Sequence, residues 1–369
     1  MKKLLIIILI FILNFNCSYA VEEIKLETEK NTFDYLSDVY YGKVEDANPV
    51  LKLFSQDGLK FKDSFVNSVK FTLLYSSEFS FIDKERNSSS FIHDFSVFEP
   101  MVTAKFNDNK TTAMFDINLL RNFEGYSNDF THKISRLYIA HDITENQRIS
   151  FGQENRVPST YNGSRGTFAQ DFVIRSQLGR TYGNASSVGI RNTGKYKYFD
   201  YDIGLYDSTR FMKDFGQGLD FTGYLMFKPL ADFKDKVGDL RIGTGYGVGE
   251  YYNSYSLYSF FIGYDKNKFH LKTEYADANG YNGISCSRDE SNGFYTMLGY
   301  DLTPKITLVG RYDYLNPNKD IYHDTSQEFA AGVTYKIFKN MKFMINYVHR
   351  DFANKSDSNM ILFATRFIL

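Results

Sequence analysis

The sequence predicts an all-β fold: a transmembrane antiparallel β-barrel of about sixteen strands, with one loop folded into its interior. Three observations carry this. The first residues read as an export signal. The rest is a succession of short segments in which apolar and polar residues alternate, rich in aromatics (35 Phe, 29 Tyr) while only 24% of residues are charged. The gaps between those segments are alternately tight and long. A barrel in lipid needs this pattern, since half of every strand faces hydrocarbon and half faces water.

Lys2 and Lys3 precede an apolar run from Leu4 to Leu13, and Ser18-Tyr19-Ala20 closes it. That is a signal peptide, residues 1–20, cut after Ala20. The run is too short to cross a bilayer as a helix, and no later run is long enough either. Asn14 and Asn16 stand where a lipid-attachment motif around Cys17 needs an apolar and a small residue. Cleavage leaves Cys286 alone, so no intrachain disulfide forms. The mature chain is near −3 in charge, which argues against a nucleic-acid partner. These features predict the outer membrane of a Gram-negative-type bacterium, with membrane lipid as the surrounding partner. Residues 21–64 are polar and weakly patterned, and read as a periplasmic or lumenal segment. Phe33, Leu36 and Tyr40 fall at helical spacing, so Asn31–Tyr41 forms a short amphipathic helix or a disordered lead-in.

The barrel is expected over residues 65–369. Val69, Phe71, Leu73 and Tyr75 alternate with Lys70, Thr72 and Ser76. Ala113, Phe115, Ile117 and Leu119 alternate with Met114, Asp116 and Asn118, and Phe199, Tyr201, Ile203 and Leu205 form one face of a later strand. Tight connections are expected at Asn107–Lys110, Thr144–Asn146, Asn192–Lys195, Lys266–Asn267, Thr303–Pro304 and Phe338–Asn340, with Leu230–Gly238 slacker. Short turns on one side and longer loops on the other are the asymmetry of outer-membrane barrels. Sixteen strands leave an aqueous channel. On the last strand Ile361, Phe363, Phe367 and Leu369 are expected to face lipid and Arg366 to face water.

The alternation stops only in Asn155–Asn184. This stretch carries Arg156, Arg165, Arg175 and Arg180, with Asp171 its one acid inside the arginine run. A loop that long in a β protein points to function, and here to narrowing the pore. Its arginines are expected to line the constriction and favour anions by charge and planar geometry; the alternative is that they pair with wall carboxylates and pin the loop. The period places Arg136, Arg148, Arg241, Lys272, Arg311 and Arg350 on the lumen wall, with Asp116, Glu274 and Asp313. Gly243, Gly245, Gly247 and Gly249 fall on one strand face, so they predict a bare lumenal patch against which the long loop or the N-terminal segment packs. The six histidines (His93, His132, His141, His270, His323, His349) lack metal-ligand spacing, and no Gly-x-Ser-x-Gly is present. No cofactor, metal or enzymatic activity is expected; Ser135 with His141 or His132 is a formal Ser–His pair only.

The stretch Ser135–Tyr206 resembles the phosphate-selective porin O and P family. It carries RLYIAHDITENQRISFGQENRVP with Gly152-Gln153 and Val157-Pro158, then a hairpin with Val188-Gly189. Asp57-Gly58-Leu59-Lys60-Phe61 is similar to that family's opening. The resemblance implies a sixteen-stranded, trimeric outer-membrane channel. It does not imply phosphate selectivity, since the lysine cluster of phosphate-selecting members is missing from the loops here. The expected function is passive diffusion of small hydrophilic solutes, general or mildly anion-preferring; the alternative is an outer-membrane enzyme or a plugged structural barrel.

Overall fold

A computed structural model describes residues 52–369, except 63, 85–86, 108, 121–132, 156–166, 184–185, 209–215, 217, 252, 282–285, 322–323 and 354–356. The signal peptide, the Asn31–Tyr41 segment and the side chains of His93 and Cys286 lie outside the described set, as do His132 and His323.

The elements are strands almost throughout. β1 is the two-residue Leu59–Lys60. Then follow β2 (Val66–Lys84), β3 (Asn87–Phe106), β4 (Thr111–Ile117), β5 (Ile134–Thr144), β6 (Gln147–Asn155), β7 (Ser186–Lys195), β8 (Phe199–Asp207) and β9 (Leu219–Phe227). The second half comprises β10 (Asp239–Tyr251), β11 (Asn253–Lys266), β12 (Phe269–Tyr281), β13 (Cys286–Asp301), β14 (Ile306–Asn316), β15 (Ser326–Phe338), β16 (Met341–Phe352) and β17 (Ser358–Ile368). From β2 onward each strand pairs antiparallel with the next, and β17 pairs back onto β2 from Ser358↔Lys84 to Ile368↔Leu74. Among the described residues sixteen strands therefore close into a barrel, and closure removes the free sheet edges that lipid does not tolerate.

Every strand in the sequence reading has its counterpart. The first two are longer than expected, at 19 and 20 residues. The six tight connections and the slack one lie at one end. Asn107, Asn109 and Asn267 adopt the left-handed backbone there, which asparagine tolerates better than most residues. The slack connection holds a single helical turn (Lys234–Val237), and Tyr264 donates its hydroxyl to the Val237 carbonyl at 2.5 Å.

The period of two sets which side chains face out. Ile203 and Phe363 are exposed on the outside, the latter by 43%. Two residues of the expected outward faces are buried, Leu73 and Ile117, the latter beside a register shift between Asp116 and Ile117 where β4 ends. At the turn end, Leu369 completes the ladder with Leu73 by two 3.0 Å backbone bonds. β1 then continues along the same edge of β2, with Leu59↔Val69 and Lys60↔Ser68.

Candidate functional site: the lumen and its inward loop

The long segment between β6 and β7 enters the barrel. Its described part contains a single 3-10 turn (Thr167–Ala169) and a five-residue helix, α1 (Gln177–Thr181). Ser176 caps that helix, its hydroxyl accepting from Gly179 N at 3.0 Å. Phe172, Val173, Leu178 and Tyr182 turn towards the wall and are buried with Leu257, Ala276, Tyr295, Met297, Met344, Val348 and Leu362. The inner face of β11–β17 is therefore apolar where the loop lies on it. This half of the interior is a packed core, and burial of each such side chain contributes about 1.5–3 kcal/mol.

Polar contacts complete the seat, and most are made to the loop's backbone. Lys342 donates to the Gln170 carbonyl at 2.6 Å, and Thr334 to that of Asp171 at 3.5 Å. Arg366 donates to the carbonyls of Phe172 at 3.3 Å and Val173 at 2.6 Å. Arg311 donates to those of Ile174 at 3.0 Å and Arg175 at 3.3 Å. The six consecutive carbonyls 170–175 are thus gripped by side chains of β14–β17. Asn346 accepts from Val173 N at 2.6 Å, and Asp313 from Gln177 N at 3.0 Å. Lys272 pairs with Asp171 at 2.7 Å, and Tyr182 donates to Ser291 at 2.7 Å. Burial pushes the Tyr182 hydroxyl up to about 12, so it stays a donor.

The expected lumen wall is corrected in part by this seat. Lys272, Arg311 and Asp313 face inward, yet they lie under the loop rather than along open water, because the peptide groups that the loop buries must find partners. Arg366, expected to face water, is fully buried and pairs with Glu78 at 2.9 Å. Glu274 is buried as well.

Of the four loop arginines, Arg156 and Arg165 lie outside the described residues. Arg180 reaches the wall and meets Glu328 at 2.7 Å. Glu328 also receives Arg311 at 2.6 Å and Arg350 at 2.8 Å. Three guanidinium groups therefore share one carboxylate on β15, with Asp313 beside it on Arg311 at 2.5 Å. The register Asp313↔Glu328↔Arg350 across β14–β16 sets this cluster. Arg175 lends its carbonyl to Arg180 at 2.6 Å. Glu328 was missed in the sequence; its inward parity beside Ala330 was the available signal.

The other half of the interior is different. Arg136 pairs with Asp116 at 2.5 Å and Arg148 with Asp142 at 2.5 Å. Arg191 meets Glu154 at 3.1 Å and also Asp202. Exposure does not follow one sign of charge: the Arg136 side chain is 29% exposed against 1% for Asp116, while in the loop-covered half Arg180 is 34% against 0% for Glu328 but Lys272 is 9% against 33% for Asp171.

The glycine patch also needs correction. Gly243, Gly245, Gly247 and Gly249 belong to β10, and their outward neighbours Tyr246 and Val248 are exposed, so the four glycines face the lumen. What lies over two of them is not the loop. A β-carbon at Gly243 would stand 2.4 Å from the Phe261 ring, and one at Gly249 2.0 Å from Asp220 and 2.5 Å from the Tyr255 hydroxyl. Gly204 and Gly189 bear the same relation to the Tyr206 ring. The loop's contacts go to β11–β17 and, through Phe168, to β2 and β3, and these glycines let aromatic rings of adjacent strands lie flat on the wall.

At the turn end a recess of about 350 Å³ opens below the loop, bounded by Gln170, Asp171, Arg241, Lys272, Lys336 and Lys342. In it Arg241 pairs with Asp265, and His270 bridges Asp265 at 2.8 Å and Asp301 at 3.0 Å. Among the described residues no group of three or more His, Cys, Asp or Glu side chains is placed to hold a metal ion.

No curated protein matches the chain. Among solved structures it is similar to a loop-deletion form of OmpT, an outer membrane protein of Vibrio cholerae, at 14% identity, TM-score 0.60, over 82% of this chain and 99% of that one. It is similar to an anion-selective porin from Comamonas acidovorans at 11% identity, TM-score 0.60, over 82% and 99%. The outer membrane channel DcaP of Acinetobacter baumannii aligns at 11% identity, TM-score 0.60, over 85% and 99%. The profile of the phosphate-selective porin O and P family matches residues 247–361, C-terminal to the Ser135–Tyr206 stretch whose motifs suggested it. The chain is thus a β-barrel with the fold of outer-membrane porins, and across residues 247–361 it matches the phosphate-selective porin O and P family.

Proposed function

We propose that this chain forms a water-filled channel in the outer membrane, through which small hydrophilic solutes diffuse passively, with a mild preference for anions. The observation that carries the reading is the division of the interior. One half is covered by a loop held against it, and the other is lined by aromatic rings laid over glycine, which keeps side chains out of the passage. At two points, Arg136 on the wall and Arg180 on the loop, the guanidinium is more exposed than the carboxylate that pairs with it. A narrow passage lined in that way lowers the barrier for an anion relative to a cation. Around the turn-end recess Arg241, Lys272, Lys336 and Lys342 meet Asp171, Asp265 and Asp301, which leaves a small cationic excess. Assembly as a homotrimer surrounded by outer-membrane lipid, and cleavage after Ala20, belong to the same reading. The glycines and the lumen-wall residues act in it by setting width and field rather than by chemistry.

The test is a planar bilayer with a salt gradient across it. The purified protein is expected to give stepwise conductance with an anion-favouring reversal potential. Exchanging Arg156, Arg165, Arg175 and Arg180 for Gln is expected to move that potential towards cations. An unmoved potential sinks the role given to the loop, and a folded protein that passes no current sinks the channel.

A further inference from the structure

The loop occupies one half of the interior and leaves a recess on the other. It measures about 470 Å³ and lies on the inner face of β5–β9. Two aromatic rings, Tyr138 and Tyr224, border it, and both are half-buried. Between them stand charged groups already bonded to one another. Arg191 donates through Nε to Asp202 at 2.7 Å and through Nη1 to Glu154 at 3.1 Å. Ser150 donates to the other Glu154 oxygen at 2.5 Å, and Arg148 makes a two-pronged bond to Asp142 at 2.5 and 3.0 Å. Lys228 meets Asp200 at 2.7 Å.

We infer that this recess is a binding site for a neutral polyhydroxy solute, a saccharide of one to three rings. The inference rests on the channel reading and names a solute class for it. Four features argue for the class. Each of these cations has its own carboxylate, so the recess has little net charge with which to hold an ion. Arg148, Arg191, Glu154 and Asp202 all line the recess, and their planar forks and carboxylate oxygens have a geometry that suits vicinal hydroxyls. The network fixes these groups in place, so little side-chain entropy is lost on binding. The rings of Tyr138 and Tyr224 supply the flat apolar surface that the C–H face of a sugar ring covers.

The site exists because of glycine. Gly152 stands opposite Tyr138 with φ +131°, and a β-carbon there would lie 2.4 Å from the Leu137 carbonyl oxygen and 2.7 Å from the Tyr138 α-carbon. A side chain at Gly152 would displace Tyr138 and fill the recess.

The probe is maltotriose, added to single channels of the full-length protein in a bilayer. Concentration-dependent interruptions of the ion current are expected. Tyr138→Leu and Tyr224→Leu should each weaken the block by about tenfold, the scale of one well-placed aromatic contact. Arg180→Gln, across the lumen, should move the reversal potential and leave the block constant unchanged. An open channel that maltotriose does not interrupt, or a block that both tyrosine variants retain, overturns the inference and leaves the channel intact. A protein that passes no current is tested by calorimetric titration of maltotriose into the detergent-folded barrel. Heat of binding that is lost in Tyr138→Leu upholds the site without the channel, and no heat overturns it.

Discussion

Glu328 is the residue on which the lumenal charge arrangement turns. It is fully buried and holds Arg180, Arg311 and Arg350 at once. Glu328→Gln leaves Asp313 as the one remaining carboxylate described against the three guanidinium groups, and breaking a buried pair of this kind costs about 3–5 kcal/mol. The expected outcome is a fall in the denaturant midpoint of the detergent-folded barrel and a reversal potential that favours anions more strongly. Gly152 gives a second residue-scale prediction. Gly152→Ala is expected to cost about 1–3 kcal/mol, because φ +131° suits no L side chain; the same midpoint measures it. At this scale the sequence told parity but not partners. Arg136, Asp116, Arg241 and Lys272 could be placed inside from the period of two. That Arg180 would end on Glu328 could not, since the pairing joins residues 148 positions apart through a loop with no period of its own.

Among the elements, the inward loop and β10 depart most from expectation, for related reasons. The sequence reading treated the inner face of every strand as wet. On β11–β17 that face carries Leu257, Ala276, Met297, Val309, Met344, Val348 and Leu362, which can be inner residues only if something apolar covers them. Phe172, Val173, Leu178 and Tyr182 supply the cover. Arg311 and Arg366 then hold the loop's carbonyls, and replacing both by Met should release it. The expected signs are greater current noise and faster proteolysis within 167–183, followed by electrophoresis of the cleaved barrel. The glycines of β10 looked like a seat for another segment because four of them share a face. They are a seat for rings of neighbouring strands, and a sequence does not show which side chain leans sideways. Gly243→Val should push the Phe261 ring into the passage and lower single-channel conductance.

The whole molecule was the most legible level. Sixteen strands, their closure and the side on which the short turns lie all follow from two repeating signals, the period of two and the alternation of gap length. Both signals are local, and both recur along the whole chain, so an error in one strand leaves the count intact. The long β2–β3 hairpin was underestimated because Phe79, Phe81 and Phe91 stand among Ser and Asn, where the pattern is weak. A charge on the outside tests the barrel as a whole: Phe363→Arg, near the middle of β17, is expected to cost about 2–4 kcal/mol in lipid. Loss of the heat-modifiable band on electrophoresis, while an inward change such as Thr193→Ser keeps it, is the outcome to look for.

The grip on carbonyls 170–175 has one more consequence. A peptide oxygen is the same whatever residue bears it, so this grip reads the path of the segment rather than its lettering. Asp171, Phe172, Val173 and Ile174 are held by their side chains as well, but positions whose side chains take no part should accept any residue except proline and leave the strap closed. The tint of the passage can therefore drift from one descendant to another while the cylinder around it keeps its shape.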